Sequence, residues 1–175
     1  YGTLFLSKTE ESNITITPPT GQIRKYDAKG LELEAYYKSG VFDLYATATY
    51  TDAEITDARN SAGVANNALI GNRPQRQAKL IWALTPSLNF DQFRVSASWI
   101  GTGDSFANDA NTLTQKGYSV VHLTGAVNLT DSLEFSLNVN NLFDKAGITE
   151  SANDGRESLF AGAPNTVTIG RSIQG

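Results

Sequence analysis

The sequence predicts an all-β fold, a transmembrane antiparallel β-barrel, on three observations. Apolar and polar residues alternate with a period of two in several segments, and the linkers between these segments are alternately short and long. No uninterrupted apolar stretch approaches the roughly 18 residues that a transmembrane helix needs. A membrane-spanning strand needs only about 9 to 11 residues, half of them apolar, and the alternating segments have that length.

The alternation is clearest in residues 131–140, where Leu133, Phe135, Leu137 and Val139 fall on one side of an extended chain. A helix would scatter these side chains around its axis, so the segment is expected to be a strand. The residues between them are polar. The same pattern recurs at 31–37, 42–51, 77–84, 93–99 and 121–127, with the row opposite 78–84 only half polar.

The linkers predict that the two ends of the sheet differ. Short linkers rich in turn residues lie at 39–40, 86–91 and 128–131, and long polar linkers lie at 8–21, 57–76, 104–116 and 144–165. Outer-membrane barrels have tight turns at one end and extended loops at the other. A soluble β-sandwich or lipocalin-like barrel, with its apolar rows facing inward, is the alternative that period two leaves open.

Composition excludes several classes of function. The 175 residues include 14 Lys+Arg and 18 Asp+Glu, a net charge of -4 that does not suit an electrostatic nucleic-acid binder. Cysteine is absent and histidine occurs once, which excludes disulfide frameworks, thiolate zinc sites and cysteine nucleophiles. We therefore predict no catalytic residue, no cofactor and no nucleic-acid partner.

Two motifs that could carry catalysis have simpler interpretations. Asp52 and Glu54 are two residues apart, a spacing that could suit a glycosidase pair, but they are expected where a strand enters a loop. Residues 101–105 resemble a nucleophile motif, yet no helix pattern follows and His122 is the only histidine that could act as a base. His122 is expected to form hydrogen bonds on the polar side of its strand.

The linker at 104–116 holds most of the candidate substrate-binding residues. Its clustered side-chain oxygens could also bind calcium, but the spacing lacks the glycine and terminal glutamate of an EF-hand, so no metal site is predicted. Two nearby aromatic rings could stack on a ligand. The substrate-loop candidates are Trp99, Asp104, Phe106, Asn108, Asp109 and Asn111.

A family resemblance appears at the end of the clearest strand. The segment Asn140-Asn141-Leu142-Phe143-Asp144-Lys145 resembles the "NNLFDK" signature near the C-terminus of TonB-dependent outer-membrane receptors. Residues 30–35, 48–55, 71–74 and 117–121 are similar to segments of that family in the same order. In the signature, the amides of Asn140 and Asn141 are expected to bond to backbone where the ladder ends. Leu142 and Phe143 would then lie at the membrane interface, and Asp144 would begin the loop.

The resemblance implies that residues 1–175 are the C-terminal portion of a 22-stranded barrel in the bacterial outer membrane, contributing about seven or eight strands. The plug domain and TonB box would lie outside this chain. Relatives end on a strand that closes with an aromatic residue, whereas this chain ends Ser172-Ile173-Gln174-Gly175. The last strand is therefore expected to be missing or to lie within 166–175. If it is missing, Val167 and Ile169 belong to the returning loop.

The function implied by the resemblance is TonB-dependent import of a scarce nutrient, a ferric siderophore or a carbohydrate. The expected partners are outer-membrane lipid, the rest of the barrel, the plug, the TonB complex and the nutrient. A small self-contained barrel with a structural or adhesive role is the alternative. Loops beginning at Asp57, Asp104 and Asp144 would capture substrate. The residues expected to line the lumen are Thr47, Thr49, Thr51, Glu134, Ser136 and Asn138.

Overall fold

The computed structural model describes residues 1–16, 19–60, 62–150, 166–167 and 172–174. Within these residues the fold is all-β apart from a single 3-10 turn at Asn67–Leu69. No helix in this part of the chain is long and apolar enough to cross a membrane. The strands are β1 Gly2–Ile16, β2 Pro19–Ser39, β3 Phe42–Asn60, β4 Leu80–Asn89, β5 Phe93–Thr102, β6 Ser105–Phe106, β7 Thr114–Gln115, β8 Tyr118–Thr130, β9 Leu133–Asn140, β10 Ile148–Glu150, β11 Thr166–Val167 and β12 Ser172–Gln174.

Eight of these strands form one antiparallel sheet in the order β1-β2-β3-β4-β5-β8-β9-β12. Each neighbour is the next long strand of the chain, and the short pairs β6–β7 and β10–β11 lie within the connections. The tight connections β2–β3, β4–β5 and β8–β9 therefore share one end, the short-turn end. The remaining connections share the opposite, long-loop end. This confirms the predicted antiparallel fold and number of strands.

The pairing register places the predicted apolar rows on a single face of the sheet. One row runs directly across five strands through Ala35, Ala46, Leu84, Trp99 and Val121. We call the side that carries this row the apolar face. Because alternate residues of a strand point to opposite sides, the apolar residues of each strand fall on this face together.

The opposite side, the polar face, carries mainly neutral polar side chains. A complete row across it consists of Asp43, Ser87, Ser96, Thr124 and Asn138. A few apolar residues interrupt it near the long-loop end, including Ile81 and Ile100. Ile81 comes from the row that the sequence shows to be only half polar, and Ile100 of β5 lies opposite Ala83 of that row.

The apolar face is uncovered. Leu33, Trp99 and Phe135 are 48%, 44% and 54% exposed, and Trp82 packs edge-on against Trp99 with ring centroids 6.2 Å apart. Fully buried apolar side chains in the described residues are few and mostly small. A soluble sandwich would seal these rows against a second layer. The described residues form a single main sheet without such a layer.

The apolar face ends at a sharp level in the longest strands. On β3 it runs from Phe42 to Tyr50, after which Asp52 pairs directly with Lys29 of β2. The run from Phe42 to Thr51 matches the 9 to 11 residues a strand needs to cross a bilayer. Beyond this level, β1, β2 and β3 continue as a three-stranded extension.

This extension corrects the prediction of a long loop at residues 8–21. β1 pairs with β2 all the way from Gly2 opposite Leu33 to Ile16 opposite Pro19. Its charged residues face each other across the strands: Lys8 lies 3.4 Å from Asp27 and Lys25 lies 3.1 Å from Glu10. The sequence indicated a loop because residues 8–21 are polar and charged. A strand beyond the apolar face has no apolar row by which the sequence could identify it.

Several other strand ends lie beyond their predicted positions. The linkers predicted to begin at Asp57 and Pro86 begin later, because β3 runs to Asn60 and β4 runs to Asn89. Pro86 pairs with Leu44 of β3, but the ladder to β5 is interrupted beside it, since proline has no N–H to donate. The Thr85 and Ser98 hydroxyls form a hydrogen bond of 3.1 Å across this gap.

The C-terminal residues join the main sheet. Ile173 of β12 lies opposite Val139 of β9, so residues 172–174 form its eighth strand. Val167 pairs with Ile148 within the β9–β12 connection. Ile169 lies outside the described residues, as does the part of this connection at 151–165.

Candidate functional site

Two connections meet at the long-loop end, and we call them the loop pair: residues 62–79 between β3 and β4, and residues 103–117 between β5 and β8. Arg73 N donates to Asn111 Oδ1 at 2.9 Å, and Asn111 Nδ2 donates to Arg73 O at 2.8 Å. Arg76 N donates to Phe106 O at 2.7 Å. Asn111 has a φ of 56°, a conformation that asparagine tolerates better than most residues. These bonds join the two loops into one unit.

Asp109 lies at the centre of this unit and is only 6% exposed. Its Oδ2 lies 2.6 Å from Arg24 Nη1 of β2, and its Oδ1 accepts a hydrogen bond of 2.8 Å from Gln75 N. Its backbone carbonyl accepts from Asn72 Nδ2 at 2.9 Å. A single buried carboxylate thus links β2 to both loops.

The loop pair folds over the polar face. Arg24, which holds Asp109, lies opposite Ala58 on that face, and Tyr26 lies opposite Ile55. Ile55 and Ala58 are 0% and 2% exposed, although most of the sheet is open. The loops therefore cover this part of β3, and the backbone bond from Ile55 N to Asn72 O fixes them to it.

A cavity of about 700 Å³ lies between the loop pair and the three-stranded extension. Arg73, Phe106 and Asn111 contribute from the loops, and small residues such as Ala28 and Ala53 leave room on the strands. Ligand pockets typically occupy about 300 to 1,000 Å³. The remaining lining residues are Leu6, Ser7, Lys8, Asp27, Lys29, Asp52, Glu54, Gly71 and Lys79.

Most lysines that line the cavity are matched by carboxylates, whereas Arg73 is not. Lys79 lies 2.6 Å from Asp52 and Lys29 lies 3.9 Å from the same carboxylate. The Arg73 guanidinium lies 5.1 Å from the centroid of the Phe106 ring and donates to Asp104 O at 3.1 Å. Its Nε is buried without a hydrogen-bond partner, and the nearby carboxylates of Asp52 and Asp104 are engaged by Lys79 and Lys116. Arg73 is therefore the cation best placed to receive an anionic group.

A second cavity of about 510 Å³ lies on the polar face beneath the loop pair. Its apolar floor is formed by Ile81 and Ala83, from the half-polar row of β4, and by Ile100 of β5. Arg76 and Lys116 line it from the loops, and no acidic side chain does. Both cavities thus present cationic side chains next to apolar surface.

The structure brings together only some of the predicted substrate-loop residues. Phe106 and Asn111 line the larger cavity, and Asp109 supports them. Trp99 does not join them: it lies in β5 on the apolar face, where it contacts Trp82, so its candidacy for the substrate loop was misplaced. Because alternation already placed Trp99 in the apolar row, its aromatic ring alone was a poor signal for ligand stacking.

The remaining loop candidates are engaged within their own loop. Asp104 lies 2.8 Å from Lys116 Nζ and accepts from Gly117 N at 2.8 Å, and these bonds lower the pKa of the Asp104 carboxyl below its usual value. Asn108 accepts from Thr112 N at 3.1 Å and donates to the Thr112 hydroxyl. The oxygens considered for calcium are therefore occupied by donors from the protein. Across the described ranges, no three or more His, Cys, Asp or Glu side chains group as a metal site.

Sequence reasoning missed Arg24 and Arg73 as site residues. Arg24 is far from Asp109 in sequence, and no local pattern marks their contact. Asp52 and Glu54, considered as a catalytic pair, line the cavity, where the ion pairs to Lys79 and Lys29 engage Asp52.

The signature at the end of β9 forms a hydrogen-bonded turn. Asn141 has a φ of 49° and is 3% exposed; its Oδ1 accepts from Lys145 N at 2.9 Å, and its Nδ2 donates to Lys145 O at 3.0 Å. Leu142 N donates to Val121 O, which extends the ladder by one bond. Asn141 N approaches His122 Nδ1 at 3.4 Å. The predicted bonding of an Asn141 amide to backbone at the strand end is therefore present, and Phe143 is 72% exposed beyond it.

Comparisons with known proteins agree with this geometry. Residues 8–142 match the family model for the TonB dependent receptor-like β-barrel. The siderophore receptor PiuA from Acinetobacter baumannii superposes with a TM-score of 0.65 at 22% identity, covering 98% of this chain and 25% of that receptor. The ferric yersiniabactin uptake receptor FyuA from Yersinia pestis gives 0.69 at 16%, covering 98% and 29%. The unliganded ferric citrate transporter FecA gives 0.73 at 17%, covering 98% and 27%.

No curated protein sequence matches the chain. The chain spans about a quarter of the length of the receptors that it resembles in structure. The family model alone covers well over half of the chain, from β1 into the signature turn. The chain therefore belongs to the TonB-dependent receptor β-barrel family of the bacterial outer membrane.

Proposed function

We propose that these residues form the C-terminal part of the barrel wall of a TonB-dependent importer, which takes up a scarce nutrient across the outer membrane. The plug, the TonB box and the rest of the barrel would lie in the remainder of the protein. In this scheme the apolar face contacts lipid, and the polar face lines the lumen. The chain contributes binding surface and no covalent chemistry.

The observation that carries the proposal is the cavity between the loop pair and the extension. It lies at the long-loop end, beyond the level where Lys29 and Asp52 end the apolar face. Outer-membrane barrels place their long loops outside the cell. A ligand arriving from outside would therefore meet this cavity first.

The charges of the cavity favour an anionic ligand. The guanidinium of Arg73, 5.1 Å from the centroid of the Phe106 ring, suits a carboxylate or another planar oxyanion. The second cavity also has cationic side chains in its lining, Arg76 and Lys116, although Lys116 pairs with Asp104 at 2.8 Å. A neutral oligosaccharide would make no charged contact with Arg73, so we favour an anionic ferric chelate over a carbohydrate.

The test uses the complete receptor in an outer membrane, with uptake and binding measured for a panel of ferric chelates and oligosaccharides. We expect uptake of an anionic chelate that stops when the proton-motive force is collapsed. Arg73→Ala should weaken binding about 10-fold or more, since a hydrogen bond to a charged group contributes about 1.5 to 3 kcal/mol.

Arg94→Ala is the matched control, because Arg94 lies at the short-turn end and pairs with Glu134 at 3.0 Å. It should leave the affinity unchanged. Uptake that does not depend on the proton-motive force would contradict the importer, and equal losses in the two variants would contradict the role of Arg73. Selective uptake of a neutral sugar would replace the chelate as the substrate class.

A further inference from the structure

We propose that Asp109 is a positioning residue for the ligand cavity: it holds the loop pair against β2 so that Arg73, Phe106 and Asn111 are in place before a ligand arrives. This inference rests on the proposed function, because it names a residue that prepares the same site. Asp109 itself does not line the cavity, so its effect on a ligand is indirect.

The burial of the ion pair is the first reason. Asp109 is 6% exposed and the Arg24 side chain 20%, whereas the Lys116–Asp104 pair of the same loop is 81% and 50% exposed. Exposed pairs contribute little because water screens them and their side chains lose entropy. A buried pair is different: removing one partner leaves the other charge without water or a counter-ion.

The second reason is the position of Asp109 in the hydrogen-bond network. Its carboxylate holds Gln75 N, two residues from Arg73, and two residues beyond Asp109 the amide of Asn111 holds the Arg73 backbone. The Asp109 carboxylate and the Asn111 amide together hold the segment that carries Arg73. The Arg24–Asp109 ion pair in turn joins the 103–117 loop to β2.

Loss of this anchoring should raise the apparent Kd of the ligand by an amount that depends on how often the loop is in place. If the binding geometry is populated only a fraction of the time, the apparent Kd rises by the inverse of that fraction. A loop that holds its position about one tenth of the time would bind about tenfold more weakly. Once the ligand is bound the loop is held in place, so the maximal uptake rate should not change.

The experiment compares Asp109→Asn with Asp43→Asn in the complete receptor. Asparagine keeps an oxygen that can accept from Gln75 N but removes the charge facing Arg24. Asp43→Asn makes the same substitution in another ion pair of the sheet, with Lys38 at 3.7 Å, at the short-turn end. Spin labels at Thr9→Cys and Ala110→Cys, in a receptor without other cysteines, report the distance between β1 and the loop.

We expect one narrow label distance in the parent receptor and in Asp43→Asn, and a broadened distribution in Asp109→Asn. The apparent Kd of the transported chelate should rise about tenfold in Asp109→Asn, with an unchanged maximal rate. Arg24→Gln, which removes the pair from the strand side, should have the same two effects. Arg24→Gln also tests the ion pair if Asp109→Asn does not assemble in the outer membrane. The double variant should be no worse than either single variant.

Unchanged label distances in Asp109→Asn and Arg24→Gln would overturn the anchoring role. Broadened distances with unchanged affinity would overturn the positioning role. The label distances are measured without a ligand. A receptor that binds none of the panel would therefore contradict the proposed function, while the distances would still test the anchoring role.

Discussion

The short-turn end and the long-loop end of this sheet are stabilised in different ways. At the short-turn end, neighbouring strands are joined by a few residues, as at Gly40, whose φ of 59° suits a tight hairpin turn. At the long-loop end, the order comes from side chains such as Asn111 and Asp109 that bond to distant backbone. The contacts at the short-turn end join residues that are close in sequence, and they repeat from one hairpin to the next. The long-loop end depends instead on individual contacts between residues that are distant in sequence.

The largest expected effect tests the sidedness of the strands. Leu84 lies in the middle row of the apolar face, and Leu137 lies two rows nearer the short-turn end. Arginine on a lipid-facing strand costs roughly 2 to 4 kcal/mol at the midplane and about 0 to 1 near the interfaces. Leu84→Arg should therefore reduce assembly of the receptor in the outer membrane most strongly, and Leu137→Arg less so. Assembly is measured as the heat-modifiable folded fraction in isolated outer membranes.

Asn138→Arg is the control for this series. Asn138 neighbours Leu137 in β9 but lies on the polar face, opposite Thr124. An arginine there can remain in water, so assembly should be close to that of the parent. If Leu84→Arg and Asn138→Arg were tolerated equally, the assignment of the apolar face to lipid would be wrong.

The same contrast explains how much could be predicted from the sequence. Leu133, Phe135 and Leu137 reveal a strand because a lipid-facing row must be apolar at alternate positions. The ion pairs of Lys8 and Lys25 lie beyond the membrane, where no such rule applies, and their strands were taken for a loop. Asp109 was singled out as a loop oxygen, but its partner Arg24 could not be predicted, because their contact exists only in the folded chain.

A smaller effect is expected at the signature turn. Asn141→Ala removes both side-chain bonds to Lys145 and places alanine, which adopts a positive φ less readily than asparagine, at a φ of 49°. An unsatisfied buried polar group costs about 1 to 3 kcal/mol, so the thermal unfolding midpoint of the detergent-solubilised receptor should fall. Asn141→Gly loses the same bonds but accepts the positive φ, so its midpoint should fall less.

The two Asn141 variants separate the two causes. Equal losses would mean that the side-chain bonds matter and the backbone conformation does not. An unchanged midpoint in both variants would show that the turn contributes no stability, and that its two amide bonds are matched by water in the unfolded chain.

The smallest expected effect is at Asp104, the exposed counterpart of Asp109 in the same loop. Hydrogen bonds from Lys116 and then from Gly117 N lower the pKa of the Asp104 carboxyl below its usual 3.8. A lowered pKa in the folded protein means that the charged form is favoured there. Its contribution is therefore complete above the unfolded pKa and is lost as the pH falls through the lower, folded pKa.

A spin label at the exposed Thr112→Cys should gain mobility only below a pH of about 3.8. Asp104→Asn should have that mobility already at neutral pH. The change should be small because water screens an exposed pair. A mobility that rises well above that pH, or that rises in Asp104→Asn as well, would assign the change to another group.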